Sequence, residues 1–455
     1  MNSYDFNRIH FYQYDDLYIL IDINSDSIHQ IDEMTYHLLQ ILKETNDCQA
    51  AIMEMQKAGY QKDEVQEVIN EIDELAEEGI LFSSDEEILR FMPEQNPIVK
   101  AMCLHIAHDC NLRCPYCFAD QGPYGGDLSL MDEDTGVAAI DFLFEASGNR
   151  KNLNIDFFGG EPLMNFDVVK ELILYIGKKS EETGKVPELT LTTNALLLDK
   201  EKGDFLKKHE ISVVLSIDGR PEVHDKMRFT ANQKGSYDTV MKNIQEFIKD
   251  GYSKYIVRGT FTSENLDFVK DLQHLSDYGL KNLSIEPVVA PESASYAIKE
   301  SDIPVVLESY EELTRLLEKN EEFNFFHFNI DIYKGPCLPK RISACGAGHE
   351  YLAISPKGDI YPCHQFVGNL DFKMGTVQTG YKKDIGKTLQ NANVLNKQEC
   401  MSCWARFYCS GGCHASNHYD RGDLMQVYRT GCELQKKRIE CAIALVLKKN
   451  NRVAD

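Results

Sequence analysis

The chain of 455 residues has a single tryptophan and no apolar run near the roughly 20 residues that a membrane-spanning helix needs. Its opening Met-Asn-Ser-Tyr-Asp-Phe has neither the basic cluster nor the apolar stretch of a secretory signal, so a cytoplasmic protein with no membrane partner is expected. Basic residues are also scarce, 48 Lys and Arg against 72 Asp and Glu, for a formal charge of −24. Nucleic-acid phosphates are held by clustered Lys and Arg, so DNA and RNA are excluded as partners. The deficit is uneven. Residues 1–95 hold 22 acidic and 5 basic side chains, a charge of −17, against −7 for all the rest. That asymmetry marks the first segment as a unit of its own, suited to a neutral or basic partner.

What the chain has in quantity is cysteine, 14 in all. A reducing compartment disfavours disulfides, and these cysteines are clustered, so they read as metal or iron–sulfur ligands. Three of them, Cys110, Cys114 and Cys117, follow a C-x3-C-x2-C spacing, and eight more lie between Cys337 and Cys432. Cys48, Cys103 and Cys441 fit no ligand pattern and read as buried apolar thiols. A cluster held by protein alone normally takes four thiolates, so an isolated triplet leaves one iron of a [4Fe–4S] cube for a small ligand.

Apolar periodicity divides the chain. Strand-like runs at 8–14, 17–23 and 27–31 precede a helix capped by Asp32, with Met34, Leu38, Leu39 and Leu42 on one face. Two more helices follow, near 48–58 and over Val65 to Leu75; Gly79 ends the last, and a short closing strand is expected at Ile80–Leu81–Phe82. Residues 83–99 read as a linker. Beyond it, strands near 102–107, 153–158, 188–193, 211–217, 255–261 and 282–286 alternate with helices over 133–145, 166–179, 237–249 and 265–278. Repeated βα units imply an α/β fold around a parallel sheet, whose ligands gather at the C-terminal strand ends, where the cysteine triplet falls.

The triplet resembles the signature of radical S-adenosylmethionine (SAM) enzymes, and Gly159-Gly160-Glu161-Pro162 after the second strand resembles their GGEP motif. The resemblance implies a partial (β/α)6 barrel in which SAM chelates the open iron and is cleaved to a 5′-deoxyadenosyl radical. It implies that Gly159, Gly160, Glu161 and Pro162 hold the amino group of SAM, and that the Thr192-Thr193-Asn194 and Ser216-Ile217-Asp218-Gly219 segments border SAM. Ser216 is expected near the ribose, Tyr116 beside adenine and Arg258 facing the carboxylate. The later cysteines resemble the seven-cysteine SPASM domain, with two auxiliary [4Fe–4S] clusters and so three in all. Cys345, Cys363 and Cys413 map to the first auxiliary cluster; Cys400, Cys403, Cys409 and Cys432 map to the second. Cys337 is a possible fourth ligand of the first. A zinc ribbon is the competing reading of a Cys-x2-Cys pair. Trp404 and Phe407-Tyr408 read as packing around a cluster.

Strands, three helices and a wing at the N-terminus resemble the winged-helix-like peptide-recognition element of enzymes that modify ribosomally made peptides. There a leader peptide adds a strand to the sheet edge. Domains are expected at 1–95 (recognition), 96–300 (barrel), 301–336 (bridge) and 337–455 (SPASM). The detailed resemblance, carried by His108-Asp-Cys-Asn-Leu-Arg-Cys, Tyr124-Gly-Gly-Asp-Leu-Ser-Leu-Met131, Cys345-Gly-Ala-Gly-His-Glu-Tyr-Leu-Ala353 and Gly358-Asp-Ile-Tyr-Pro-Cys-His-Gln-Phe-Val367, is to thioether-forming maturases of the six-cysteines-in-forty-five-residues (SCIFF, ranthipeptide) type. It implies a precursor peptide as substrate and a flavodoxin or ferredoxin as reductant. A sulfatase maturase is the first alternative; that family carries an Asp base directly after the cysteine matching Cys363, where this chain has His364. The second is a non-catalytic peptide-binding or redox-sensing iron–sulfur protein.

Overall fold

The structure, a computed structural model, describes residues 4–320, 323–330, 332, 338–343 and 345–454. Cys337 lies outside the described residues. The first unit has strands β1 (Ile9–Tyr14), β2 (Leu17–Asp22) and β3 (Ile28–Ile31), antiparallel in that order, and helices α1 (Glu33–Thr45), α2 (Cys48–Lys57) and α3 (Lys62–Glu77). Each helix start follows from a local polar group. Asp32 accepts the Thr35 N–H at 2.7 Å, and Asp47 accepts those of Gln49 and Ala50. Gly79, at φ +72°, lets the chain turn away after α3. Residues 80–82 are not a strand. Phe82 takes a left-handed φ of +52°, which breaks the extended run, and Leu81 plugs the helical core instead.

Strand β2 is apolar on both faces because both are covered. Leu20 packs into the core of α1–α3, whereas Ile19 and Ile21 pack into the main core of the molecule. Strand β1 is tied to the long helix Arg429–Ala454: the Tyr12 hydroxyl donates to the Glu440 carbonyl at 2.9 Å, and the His10 Nε2 lies 2.9 Å from the Glu440 carboxylate. The His10 ring also stacks on Trp404, with centroids 3.9 Å apart. The lone tryptophan therefore joins two units rather than only lining a cluster.

Among the described residues the main sheet has eleven strands. Six parallel βα strands form its centre: β4 (Ala101–Ala107), β5 (Asn152–Gly159), β6 (Val186–Thr193), β7 (Ser212–Ser216), β8 (Tyr255–Phe261) and β9 (Asn282–Pro287). Strand β10 (Asn324–Phe325) adds in parallel beyond β9. On the other side, β11 (Tyr351–Ile354) pairs in parallel with β4 and leads into antiparallel β12 (Asp359–Tyr361), β13 (Gly375–Thr376) and β14 (Gly380–Tyr381). Helices at Glu133–Ala146, Phe166–Thr183, Tyr237–Ile248 and Phe268–Asp277 cover one face. Leu153, Ile155 and Phe157 of β5 meet that layer, and Asp156 and Phe158 alternate toward the opposite, concave face. The fold is thus an open α/β barrel whose sheet runs on into the cysteine-rich region. The segment expected as a bridge contributes the helix Ile303–Lys319 and β10 to it.

The first unit docks through buried polar groups. Asp22, fully buried, accepts the N–H groups of Asn24, Ser25 and Ser83 as well as the Ser83 hydroxyl. Asn24 then accepts Arg406 Nη2 at 2.6 Å. Replacing Asp22 by Ala strands these buried donors and is expected to cost about 3 kcal/mol locally. Amide hydrogen exchange checks this: protection falls at 22–31 and 80–84 while β4–β9 keep theirs.

Candidate functional site

Strand β4 ends at Ala107, and the loop that follows carries Cys110, Cys114 and Cys117 against the Gly159-Gly160-Glu161-Pro162 turn. The two glycines are needed for close approach. A Cβ on Gly159 would lie 2.2 Å from the Ala107 carbonyl oxygen, and one on Gly160 would lie 2.2 Å from that of Asp109. The same approach lets the N–H groups of Gly160 and Glu161 donate to those carbonyls at 2.7 and 2.9 Å. Glu161 is fully buried and accepts from the Leu163 N–H, the Thr193 hydroxyl and the Asn194 N–H. Burial pushes its carboxyl up to about 6, and those three donors pull back. Its carboxylate therefore clamps the end of β5 to the end of β6. Pro162 starts the buried turn that follows. Asn194 Nδ2 reaches the Asn111 side chain at 2.7 Å and the Cys110 sulfur at 3.7 Å.

A second set of contacts holds the far side of the loop. The Tyr116 hydroxyl donates to Asp218 at 2.6 Å and accepts from Arg228 at 3.1 Å, and Arg228 lies 3.8 Å from Asp218. Asp218 also accepts the Thr260 N–H of β8 at 3.1 Å. The Arg113 N–H donates to the Phe229 carbonyl at 2.7 Å, so the residues after Arg228 line the cysteine loop. Burial pushes the Cys110 thiol up to about 11, helped by the Glu161 carboxylate, and Cys114 up to about 12, opposed by Arg228. Bound iron would hold both as thiolates regardless. Ser216 is half-buried at the end of β7. Arg258 projects from β8 with its side chain 54% exposed and pairs with Glu286 of β9.

The remaining cysteines separate into the two expected sets. Cys363 is buried and pushed up to about 12 by burial, with Cys413 and Cys345 as its thiol neighbours. Cys432 is likewise pushed up to about 12 by burial and by Cys409, Cys400 and Cys403. Those last four line one cavity of about 720 Å³. A water occupies about 30 Å³ of liquid, so the cavity these four cysteines line has room for a multi-iron group. The donors present fit three clusters: a triplet beside an open cradle, a triplet, and a closed quartet.

The Radical SAM superfamily matches residues 104–276, and the SPASM iron-sulfur cluster-binding domain matches residues 345–404. The chain carries a radical SAM domain joined to a SPASM domain. Among relatives, the radical SAM cyclopropyl synthase TigE of Paramaledivibacter caminithermalis is 23% identical over 438 residues, 90% of this chain and 88% of TigE. A cysteine-type anaerobic sulfatase-maturating enzyme of Clostridium novyi is 24% identical over 322 residues, 67% of this chain and 85% of the enzyme. In fold, anSMEcpe with bound AdoMet aligns with a TM-score of 0.65 at 20% identity, covering 77% of this chain and 96% of that one. Streptococcus suis SuiB bound to its precursor peptide SuiA aligns with a TM-score of 0.51 at 17% identity, covering 92% of this chain and 97% of SuiB. SAM and [4Fe–4S] clusters are therefore the cofactors of this radical SAM chain.

Reasoning from sequence missed Arg228 and Asn111. Both keep a buried nitrogen without a hydrogen-bond partner among the described residues, Arg228 Nε and Asn111 Nδ2, beside the cysteine loop. Arg228 is one of 48 basic residues, and no spacing singled it out. Gly160→Ala is the sharpest test of the cradle, since its Cβ would displace the backbone before Cys110. Deoxyadenosine production from SAM is expected to fall about 100-fold, the usual cost of a misplacement near 1 Å, with the iron of the four-cysteine set retained.

Proposed function

We propose that this radical SAM protein is a peptide maturase that bonds the sulfur of a cysteine to a carbon of an acceptor residue within one ribosomally made precursor peptide. The observation that carries the reading is the first unit. Strand β3 pairs only with β2 among the described residues, leaving its other edge open for an added strand. That three-stranded sheet is locked to the SPASM side through Asn24–Arg406 and His10–Trp404. A leader strand on β3 would thus be held at a fixed place relative to the barrel, supplying backbone bonds for affinity. SuiB, whose precursor-peptide complex covers nearly the whole chain, supports the same reading.

Bound SAM and its cluster would supply the radical that removes a hydrogen atom from the acceptor carbon. The chain's own residues bind and orient. Cys110, Cys114 and Cys117 would hold the first cluster, the Gly159–Pro162 turn shapes the cradle beside it, and Tyr116, Asp218 and Arg228 fix the loop. Thr193, Asn194, Ser216 and Arg258 are proposed SAM contacts. Cys345, Cys363 and Cys413 would hold the first auxiliary cluster, with the remaining four holding the second. A flavodoxin or ferredoxin is the proposed reductant.

A second reading, formylglycine formation, draws on the sulfatase-maturating relative. Against it stands His364, in place of that family's Asp. Its Nδ1 lies 3.0 Å from the Tyr351 hydroxyl, its ring packs beside Phe158, and burial pushes it down to about 4. A neutral imidazole at that position lacks the carboxylate that chemistry uses.

The experiment is anaerobic. Protein reconstituted with iron and sulfide is given SAM, dithionite and a cysteine-bearing precursor peptide, and the peptide is weighed. The expected product has lost two hydrogens per bridge, with thiols no longer alkylatable and deoxyadenosine formed. Conversion of a Ser or Cys peptide to formylglycine would favour the second reading instead.

A further inference from the structure

Lys397 is fully buried, among the largest side chains with no exposed surface in the chain. Its Nζ donates to the Gly411 carbonyl at 2.8 Å. Gly411 lies in the loop Cys409-Ser-Gly-Gly-Cys413, whose two ends belong to different cysteine sets. A Cβ on Gly411 would come 3.5 Å from that Nζ. Burial pulls this lysine below its usual range, and the sulfurs that oppose that shift are Cys400, Cys409 and Cys432 of the quartet and Cys413 of the triplet. The ammonium is also felt at Cys345. The other titratable neighbour, His414, is pushed down to about 4 by burial and by Lys397 itself, and so adds no charge. Among the described residues Lys397 forms no ion pair with a carboxylate.

A buried ammonium without an anion is too costly for a fold to keep. The anions available to this one are cysteine thiolates and the clusters they hold. We propose that Lys397 is the shared counter-ion of the two auxiliary cluster sites, and that its positive charge holds their reduction potentials above those a neutral side chain would give. The electrostatics follow from net charge: an iron–sulfur cluster that accepts one electron gains one negative charge, and a fixed cation beside it favours that reduced form. Lys397 is thus a positioning residue for electrons rather than a catalytic one. The inference rests on the SPASM cluster sites and not on thioether formation.

The test compares wild type with Lys397→Met, Lys397→Gln and Lys397→Arg, each reconstituted and titrated with reductant under electron paramagnetic resonance. The Met and Gln variants are expected to load the iron of the wild type, to show both auxiliary signals at lower potential, and to leave the SAM-binding cluster's midpoint unchanged. Arg is expected to restore the wild-type values. Unchanged auxiliary potentials in a fully loaded Met or Gln variant would overturn the proposal. If both neutral variants fail to load while Arg loads, the counter-ion role is supported; if Arg fails as well, the site needs the lysine's shape and the proposal falls. A wild type that carries only one cluster would remove the cluster assignment itself, a separate result.

Discussion

Everything at the mouth of the barrel depends on how closely the turn after β5 approaches the backbone after β4. With 2.2 Å between the missing Cβ positions of Gly159 and Gly160 and the carbonyls of Ala107 and Asp109, no other residue fits without moving the cysteine loop. The approach does more than save space. It satisfies two backbone carbonyls at the end of a strand, where pairing would otherwise stop. It also places Glu161 where its carboxylate can gather donors from β6. A loop of three cysteines has little structure of its own, so its shape comes from these contacts and from the Tyr116–Asp218–Arg228 set on the other side.

Continuity of the sheet carries that geometry outward. Because β11 pairs with β4, the strand that launches the cysteine loop also borders the region holding Cys345 and Cys363. Tyr351 on β11 contacts His364, and Phe158 on β5 packs against the same imidazole. The SAM-side cradle and the first auxiliary set are thus built on adjacent strands. The N-terminal unit reaches the second set, through Arg406 and Trp404 beside Cys403 and Cys409. The N-terminal unit, the SAM-side cradle and the cysteine-rich region thus share one mechanically connected frame.

The strands and helices of the barrel were legible because each βα unit carries a local signal. The runs at 153–158 and 255–261 are rich in apolar and β-branched residues, and Glu133 and Phe166 begin helices at their expected places. Cysteine spacing grouped Cys345, Cys363 and Cys413 apart from Cys400, Cys403, Cys409 and Cys432, and in the fold the thiols of each set are neighbours. The failures were of a different kind. Residues 80–82 look like a strand by composition, but a positive φ at Phe82 and the pull of the core on Leu81 decide otherwise. Trp404 packs beside the cysteines as its position suggests, but its stack on His10 was hidden because that partner is nearly 400 positions away in the sequence. Arg228 and Lys397 were invisible for the same reason. A basic residue is ordinarily a solvated surface group, and only tertiary structure shows which ones are buried.

Those two buried cations share a logic. Arg228 has Asp218 and the Tyr116 hydroxyl, so its charge is compensated within the protein and the pair can form as the chain folds. Among the described residues Lys397 has a carbonyl and the cysteine sulfurs as its polar neighbours, and no carboxylate in an ion pair. Protonated thiols, pushed up to about 12 at Cys432 and about 11 at Cys400, are no counter-ions at neutral pH. Only when iron binds and the thiols ionise does the region around Lys397 acquire the negative charge that its ammonium requires. Burial alone pulls Lys397 below the usual lysine range, so its full positive charge belongs with the thiolate state that bound iron would stabilise.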